Sequence, residues 1–403
     1  MPLNAPAPAR ALPPVAAQVD GALADLDARL DWLLALSPVG GDALWTAFEA
    51  SGRTEVAPLR YIDLETDLDQ ARDRLRALPL ADIESPLLAE LLAEKRGELE
   101  RMVDLVRLRG SDGFVAASID LFGGVEPELR ALADDILATV GTGDPLEADT
   151  GIDVVLSEVE AELDWYRAQD PDFRVTVVAD TDIDSLMMVS HGTFYIDASI
   201  RLPRARLQPL IQHEIGTHVV TRHNGRRQAL RQLEVGLAQY DPLQEGLGVL
   251  AEYLAGYLPG ERLRVLAARV VAVDMAIHGK GIPAIFDVLH HNHALPTDDA
   301  FDVAVRALRG GGLTKDAVYL RGLRDLLAHL REGGGLEPLF AGKFALSHLD
   351  LLDQLLAAGW VVPPQLLPRY CVAPGFQDAL ARCRATPVER LYHPHHPLQE
   401  QAR

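Results

Sequence analysis

The residues of this sequence best suited to chemistry are two histidines and a glutamate in the segment QHEIGTH, residues 212–218. Imidazole nitrogens and carboxylates are ligands that zinc prefers, and a catalytic zinc site keeps one position open for water. A neighbouring glutamate can take a proton from that water, and Glu214 directly follows His213. The segment therefore predicts a zinc site with His213 and His218 as ligands and Glu214 as the base.

The spacing of the two histidines requires a distortion of the helix that carries them. Positions i and i+5 are separated by about 140° on an ideal helix, which is too far for one ion. A wide turn of the π type would return both side chains to one face, and such turns occur mostly at functional sites. Gly216 lies between the ligands and makes a local distortion easier. We therefore predict that the helix widens by one residue near Gly216.

A third ligand must come from elsewhere in the chain, and the candidates are Glu234, Glu245 and Glu252. Glu245 lies in the first turn of a helix predicted to be capped by Asp241, and the adjacent Gly246 would allow close approach. A carboxylate there could also simply stabilise the first turn through the helix dipole. Glu252 lies on the same face of that helix and could instead accept a hydrogen bond from a ligating histidine.

The elements around these residues are mostly amphipathic helices by their apolar periodicity. Two short segments, 173–180 and 192–197, are instead β-branched and aromatic, and they predict strands directly before the histidine-bearing helix. They could form a small sheet whose edge binds an extended substrate, or they could be a hairpin that only closes the core. The predicted fold is α+β and mainly α, with a zinc-peptidase-like catalytic core flanked by N- and C-terminal helices.

Composition shifts divide the chain into predicted regions. The start is rich in Ala and Pro without the apolar run of a signal peptide, and the GTGDPLE stretch at 142–148 resembles a linker. The predicted regions are a disordered lead-in (1–18), an N-terminal helical region (19–145), the zinc metallopeptidase core (146–335), a C-terminal helical region (336–390) and a tail (391–403).

Charge and composition exclude several classes of partner. The formal net charge of -21 should repel nucleic acid and anionic membranes, and no apolar run is long enough to cross a bilayer. Cys371 and Cys383 lack the spacing of a disulfide framework or a thiolate zinc site. We expect a cytoplasmic protein, and the abundance of Ala, Leu and Arg suggests a bacterial genome rich in GC. The oligomeric state is left open.

Three segments resemble the tyrosine carboxypeptidase family, which comprises the eukaryotic microtubule-associated tyrosine carboxypeptidases and bacterial relatives with a QEGLA motif. They read LIQHEIGTHVVTRHNG, YDPLQEGLGVLAEYL and GGLTKDAVYLRG. The resemblance implies that His213, His218 and Glu245 bind zinc and that Glu214 is the catalytic base. The spacing of the histidines is also similar to that of dipeptidyl peptidase III. Gly248 stands where the family motif has Ala, a change that lies off the ligands.

A carboxypeptidase must bind the free carboxylate of its substrate, usually with Arg, Lys or a helix N-terminus. Thr314 and Lys315 lie at the predicted start of a helix and could bind that carboxylate together, although Lys315 could also be a solvated lysine. Arg222 and Arg306 are further candidates. Tyr319, one turn after Lys315, could donate a hydrogen bond to the developing oxyanion, or it could be a core tyrosine.

The sequence thus predicts a zinc-dependent metallocarboxypeptidase that removes tyrosine or a similar residue from the C-terminus of a peptide or protein. A zinc aminopeptidase or endopeptidase is one alternative. A metal-stabilised regulatory protein is another, since bacterial relatives carry names that link them to flavohaemoglobin expression, but such a site needs no base such as Glu214. The histidines at 290–293 and 393–397, and His191 beside the second strand, are not assigned to the site.

Overall fold

The structure is a computed structural model that describes residues 9–29, 32–63, 67–143, 146–181, 183 and 185–394. It is 63% helical with small sheets, which confirms the predicted α+β, mainly α class. The prediction of a disordered lead-in is wrong for residues 14–18, because a helix begins at Pro14. Residues 1–8 of that lead-in, residues 144 and 145 of the predicted linker and most of the predicted tail lie outside the described residues.

The N-terminal part of the described chain is helical. Its helices are α1 (Pro14–Asp27), α2 (Trp32–Leu36), α3 (Gly41–Ala50), α4 (Leu68–Arg76), α5 (Pro86–Arg107), α6 (Phe114–Phe122) and α7 (Pro127–Thr139). The start of α5 follows the predicted cap: the Ser85 hydroxyl accepts a hydrogen bond from the Leu88 N–H, and Pro86 is the first helical residue.

The strands follow α8 (Ile152–Arg167) in two small sheets. They are β1 (Thr150–Gly151), β2 (Thr176–Asp180), β3 (Met187–Ser190), β4 (Thr193–Asp197) and β5 (Arg201–Leu202). Strands β1 and β5 pair antiparallel, and the three others form a sheet in the order β2-β4-β3. The two predicted strands correspond to β2 and β4.

The three-stranded sheet differs from the predicted hairpin alternative. Strands β2 and β4 pair in parallel, so they are not a hairpin, and the Met-rich stretch between them forms the additional strand β3. This strand pairs antiparallel with β4 and packs against the histidine-bearing helix. The edge strand next to the candidate site is therefore β3, which alternation alone did not predict.

The second half of the chain is again helical. The helices are α9 (Arg204–Ile211), a π-helical segment (Gln212–Val219), α10 (Val220–Arg226), α11 (Gln232–Val235), α12 (Asp241–Leu254), α13 (Gly260–Ile277), α14 (Ile282–Asp287), α15 (Thr297–Leu308), α16 (Val318–Arg331), α17 (Leu349–Ala357) and α18 (Phe376–Ala385). A second π-helical turn, Val288–Asn292, extends α14. Short 3-10 turns connect several of these helices, among them Lys315–Ala317 before α16.

Two apolar clusters hold these elements together. The larger contains buried side chains from Ala16 to Leu391, and it crosses the region boundaries predicted after residues 145 and 335. The smaller joins α8, the three-stranded sheet and the helix that carries the histidines, through residues such as Tyr166, Phe194 and Ile215. The histidine-bearing helix therefore has the sheet on one side and α12 on another.

Helices α12 and α16 cross at two glycines. A Cβ added at Gly246 would lie 2.6 Å from the carbonyl of Gly322, and a Cβ at Gly322 would overlap the Pro242 carbonyl. The predicted role of Gly246 in close approach is thus confirmed, with α16 as the partner. Because the backbones approach so closely, the turn before α16, which carries Lys315, lies beside the first turn of α12.

Candidate metal centre

The π-helical segment Gln212–Val219 confirms the predicted widening of the helix around Gly216. The Thr217 hydroxyl donates a hydrogen bond of 3.2 Å to the Gln212 carbonyl, five residues earlier, and so supports the wide turn. Besides its backbone freedom, Gly216 provides space for the Gln212 side chain, because a Cβ there would lie 2.6 Å from Oε1 of Gln212. The amide of Gln212 is in turn held by Glu162 at 2.7 Å.

The wide turn brings His213 and His218 together with Glu245 of α12. One potential ligand atom from each of the three side chains lies within 4.8 Å of the others, and Nε2 of His213 is 4.0 Å from Oε2 of Glu245. Within the described ranges this is the one group of three or more His, Cys, Asp or Glu side chains with the geometry of a metal site. Of the three candidate glutamates, Glu245 is the one beside both histidines.

Glu252 orients the ring of His213. Its Oε1 lies 2.9 Å from Nδ1 of His213, which leaves Nε2 directed toward Glu245. Arg206 at 2.8 Å and Arg262 at 3.3 Å bind the same carboxylate. Burial raises the pKa of Glu252, but Arg262 and Arg206 more than offset this and hold the pKa well below its usual range. Glu252 therefore has the geometry predicted for an acceptor from a ligating histidine.

His218 is held on its other side by Gln244 of α12. Its Nδ1 lies 3.5 Å from Oε1 of Gln244, which also accepts a 2.9 Å hydrogen bond from the Thr221 hydroxyl. Burial, and next the charges of His213 and Lys343, lower the pKa of His218 well below its usual value. The ring is therefore neutral near pH 7, which is the form that can bind a metal.

Glu214 directly follows His213 on the π-helical segment, and its side chain is partly exposed. Burial raises its pKa, His213 opposes this effect, and the charges of Glu245 and Glu252 add to it, so that the pKa of Glu214 is about 7. A carboxylate with a pKa close to the working pH is suited to exchange protons.

Glu234, one of the candidate third ligands, lies away from the cluster. Its Oε1 is 2.8 Å from Nη2 of Arg222 and 2.9 Å from Nε of Arg226. Arg222, predicted as a substrate-binding residue, is thus already paired, and its Nε lies against Gly192 at the turn between β3 and β4. The structure therefore does not place a free Arg222 guanidinium at the site.

Thr314, predicted to bind the substrate carboxylate, is already hydrogen-bonded to Ser118. The Thr314 N–H donates to the Ser118 hydroxyl at 2.8 Å, and the Thr314 hydroxyl donates to the Ser118 carbonyl at 3.0 Å. Both groups are therefore buried and already bonded to α6, so the structure does not favour them as ligands of a substrate carboxylate. Ser118 lies almost two hundred residues earlier in the chain, so the pattern around Thr314 carried no sign of it.

Lys315 is neither solvated nor free. Its side chain is buried, with Nζ 2.8 Å from Oδ1 of Asp241 and 3.9 Å from Oε1 of Glu245. The predicted cap is also corrected, because Asp241 is the first residue of α12 and the cap position is Tyr240. Lys315 therefore lies behind Glu245 as a cation shared by two carboxylates.

Two further predicted residues near α16 have different surroundings. Arg306 binds both carboxylate oxygens of Asp316, at 2.6 and 2.9 Å, and is not available to a substrate. Tyr319 is partly exposed, with the Arg269 guanidinium 4.8 Å above its ring. Burial, and next the charge of Glu245, raise the pKa of Tyr319, so its hydroxyl keeps its proton. Its role as an oxyanion donor remains a prediction.

Among the described residues, the other histidines that the sequence singled out do not belong to the cluster. His191 is at the β3–β4 turn with a positive φ of 46°, His290 Nδ1 is 2.8 Å from the Leu295 carbonyl, and His291 pairs with Asp287. His393 accepts a hydrogen bond from the Leu258 N–H, and the other histidines of the 393–397 segment lie outside the described residues.

Two imidazoles and a carboxylate that converge from neighbouring helices define a candidate metal site in a mainly helical protein. The chain belongs to the microtubule-associated tyrosine carboxypeptidase family, whose sequence profile matches residues 46–385. Membership of this family implies tyrosine carboxypeptidase-like activity on a peptide or protein.

Comparisons with other proteins add little to this assignment. A crystal structure provisionally described as a lipoprotein from Colwellia psychrerythraea is 12% identical, with a TM-score of 0.44 over 79% of this chain and 67% of that chain. A similarity at that level carries no argument about function. No curated protein matches the sequence. None of the helices in the described ranges is long and apolar enough to cross a membrane.

Proposed function

We propose that this protein is a zinc-dependent carboxypeptidase that removes tyrosine or a similar residue from the C-terminus of a peptide or protein. The observation that carries the proposal is that His213 and His218 of the π-helical segment converge with Glu245 of α12. This donor set suits zinc, which binds His nitrogen and carboxylate oxygen at about 2.0–2.2 Å. Glu252 supports the assignment, because a ligating histidine usually donates its second N–H to a carboxylate.

The residues around the site have distinct roles in the proposed reaction. Bound zinc would supply Lewis-acid activation of water and of the scissile carbonyl. Glu214 takes the proton from the attacking water and returns it to the amine that leaves. Glu252 holds His213 in the tautomer with a free Nε2. The Tyr319 hydroxyl, which keeps its proton, donates a hydrogen bond to the oxygen of the carbonyl as charge develops there.

Lys315 acts on Glu245 in this proposal and does not bind the substrate. Its ammonium lies 2.8 Å from Asp241 and 3.9 Å from Glu245, so its charge is already shared by two carboxylates. It stabilises Glu245 as an anion beside the two imidazoles. This pairing also counts against the aminopeptidase alternative, because Asp241 is not free to bind a substrate ammonium.

The test compares purified protein and a Glu214→Gln variant on peptides that end in a free tyrosine or in tyrosine amide. We expect about one zinc per chain in both proteins, release of tyrosine only from the free acid, and a loss of rate of about 10²–10⁴-fold in the variant. Cleavage of internal bonds, or equal cleavage of the amide, would contradict carboxypeptidase activity. Zinc binding without hydrolysis of any peptide would favour the regulatory alternative.

A further inference from the structure

A substrate with a free carboxylate needs a cation near the metal ligands whose hydrogen-bond donors are not already used. The cations predicted from the sequence do not meet this requirement, because Lys315, Arg222 and Arg306 each already bind a carboxylate of the protein. The site must therefore draw on a cation that the sequence pattern did not single out. Helix α13, which packs against α16 and the turn before it, supplies two arginines on this side of the molecule.

The first of these arginines ties α13 to a proposed metal ligand. Arg262 and Arg269 are seven residues apart, which places them on the same face of the helix. Nε of Arg262 lies 3.3 Å from Oε1 of Glu252. The same oxygen is 2.9 Å from Nδ1 of His213. The arginine-bearing face of α13 is therefore separated from His213 by a single carboxylate oxygen.

The second arginine lies against Tyr319. The Arg269 guanidinium is 4.8 Å from the centroid of the Tyr319 ring. Nζ of Lys315 is 6.0 Å from the same centroid and 3.9 Å from Oε1 of Glu245. Tyr319 also lies one turn before the close crossing of α16 with α12. These contacts place Arg269 beside Tyr319, at the crossing where α12 carries Glu245.

The hydrogen-bond donors of Arg269 are incompletely used. Its side chain is only 11% exposed, yet its buried Nε has no hydrogen-bond partner among the described residues. Its ion-pair contact with Asp316 is long, at 3.9 Å, and Arg306 already holds both oxygens of that carboxylate at 2.6 and 2.9 Å. The contact with the Tyr319 ring uses the charge of the guanidinium but leaves N–H donors available. Arg269 therefore offers a charge and N–H donors to an anion.

The charges around Arg269 also favour an incoming anion. Burial, and next the charge of Arg306, lower the pKa of Arg269, and Arg262 adds to this effect while Asp316 opposes it. A guanidinium nevertheless stays charged near pH 7, so the repulsion is not relieved by loss of a proton. A carboxylate bound beside Arg269 would offset both the burial and the repulsion.

The length of one residue fits the separation between Tyr319 and Arg269. The α-carboxylate of a substrate lies about 3.5 Å beyond the scissile carbonyl along an extended chain. In the proposed reaction the Tyr319 hydroxyl donates to the oxygen of that carbonyl. The α-carboxylate must then meet a cation in the immediate surroundings of Tyr319, and the guanidinium recorded over its ring is that of Arg269.

We propose that Arg269 binds the α-carboxylate of the last residue of the substrate and so makes the site specific for free C-termini. The proposal rests on the proposed carboxypeptidase function and assigns the residue that distinguishes a C-terminal peptide bond from an internal one. A guanidinium matches a carboxylate in shape and forms some of the stronger polar contacts in proteins. Removal of Arg269 therefore weakens binding of free acids and leaves binding of amides unchanged.

The test uses zinc-loaded full-length protein and two neutral replacements, Arg269→Met and Arg269→Gln. Arg74 is an exposed residue of α4, so Arg74→Met is the matched control for loss of an arginine charge. Two measurements are made: binding of N-acetyltyrosine and of N-acetyltyrosinamide, and KM and kcat for peptides that end in a free acid or an amide. Urea unfolding identifies a variant that does not fold, in which case the other neutral variant decides.

We expect both Arg269 variants to lower the affinity for N-acetyltyrosine and to raise KM for the free-acid peptide by about 10–100-fold, as the loss of one charged hydrogen bond implies. Zinc content and the affinity for N-acetyltyrosinamide should not change, because the amide makes no charged contact with Arg269. Arg74→Met should behave as the wild type.

The outcomes separate this proposal from the proposed function. If the folded Arg269 variants keep the wild-type preference for the acid, or lose affinity for acid and amide by the same factor, the assignment of Arg269 is wrong while carboxypeptidase activity stands. If the wild type prefers N-acetyltyrosine over its amide through Arg269 but hydrolyses no peptide, the carboxylate site stands and the proposed function fails.

Discussion

Gly248 determines how much room the imidazole of His213 has beside α12. A Cβ added at this position would lie 2.6 Å from Nε2 and 2.7 Å from Cε1 of His213. Nε2 is the nitrogen directed toward Glu245, and the Nδ1 bond to Glu252 prevents the ring from simply turning away. Gly248 replaces the Ala of the QEGLA motif at a position that is not itself a ligand. In the structure, however, this position packs against His213, a proposed ligand.

We predict that Gly248→Ala weakens zinc binding by about tenfold or more, a loss comparable to that caused by disturbing the partners of a ligand. Competition with a chelator measures the affinity. Gly97→Ala, in the middle of α5 where a Cβ meets only ordinary contacts, is the control and should bind zinc as the wild type does. Unchanged affinity in Gly248→Ala would mean that His213 moves at little cost.

At the scale of elements, the candidate site depends on two departures from regular packing. One is the π-helical segment, which turns both histidines to the same side. The other is the close crossing of α12 and α16 at Gly246 and Gly322, which sets Lys315 behind Glu245. Each depends on glycine where a side chain would not fit.

We predict that Gly322→Ala destabilises the protein by about 1–3 kcal/mol, because the added methyl group overlaps the Pro242 carbonyl and the helices must separate. Urea unfolding measures the loss. Zinc affinity should fall with it, since α12 carries Glu245. Stability equal to that of the Gly97→Ala control would show that the crossing adjusts freely.

For the whole molecule, the N-terminal helices support the loop that leads into the site. Lys95 of α5 is fully buried, with Nζ 2.9 Å from Glu98 and 3.3 Å from Asp27 of α1. Glu98 also accepts a 2.6 Å hydrogen bond from the Gln239 N–H, directly before Tyr240. The Tyr240 ring lies 6.0 Å from Nζ of Lys95, so α1 and α5 are linked to the residue directly before α12, the helix that carries Glu245.

We predict that Lys95→Met destabilises the protein by about 3–5 kcal/mol, because it leaves two carboxylates without their buried counter-ion. Thermal and urea unfolding measure the change, and Lys280→Met, a change at an exposed lysine, is the surface control. The double variant Lys95→Met with Glu98→Gln should recover part of the loss. No recovery in the double variant would mean that the pair is not the source of the stability.

The parts of this protein that the sequence determined are those set by local geometry. The spacing of His213 and His218 required a wide turn, because one metal ion cannot reach two side chains on opposite sides of a helix, and the turn is present. Helices such as α5 follow from the apolar periodicity and the Ser85 cap. The family motifs are also local, and they led to the correct family.

Only the tertiary structure decided which polar groups are already used. Thr314 bonds to Ser118 and Lys315 to Asp241, so both residues that the sequence suggested for a carboxylate site already have polar partners. Strand β3 and the Ser118 partner of Thr314 carried no local signal. These features depend on contacts between residues far apart in the chain, because burial and close packing determine which charges are neutralised and which remain free to bind a substrate.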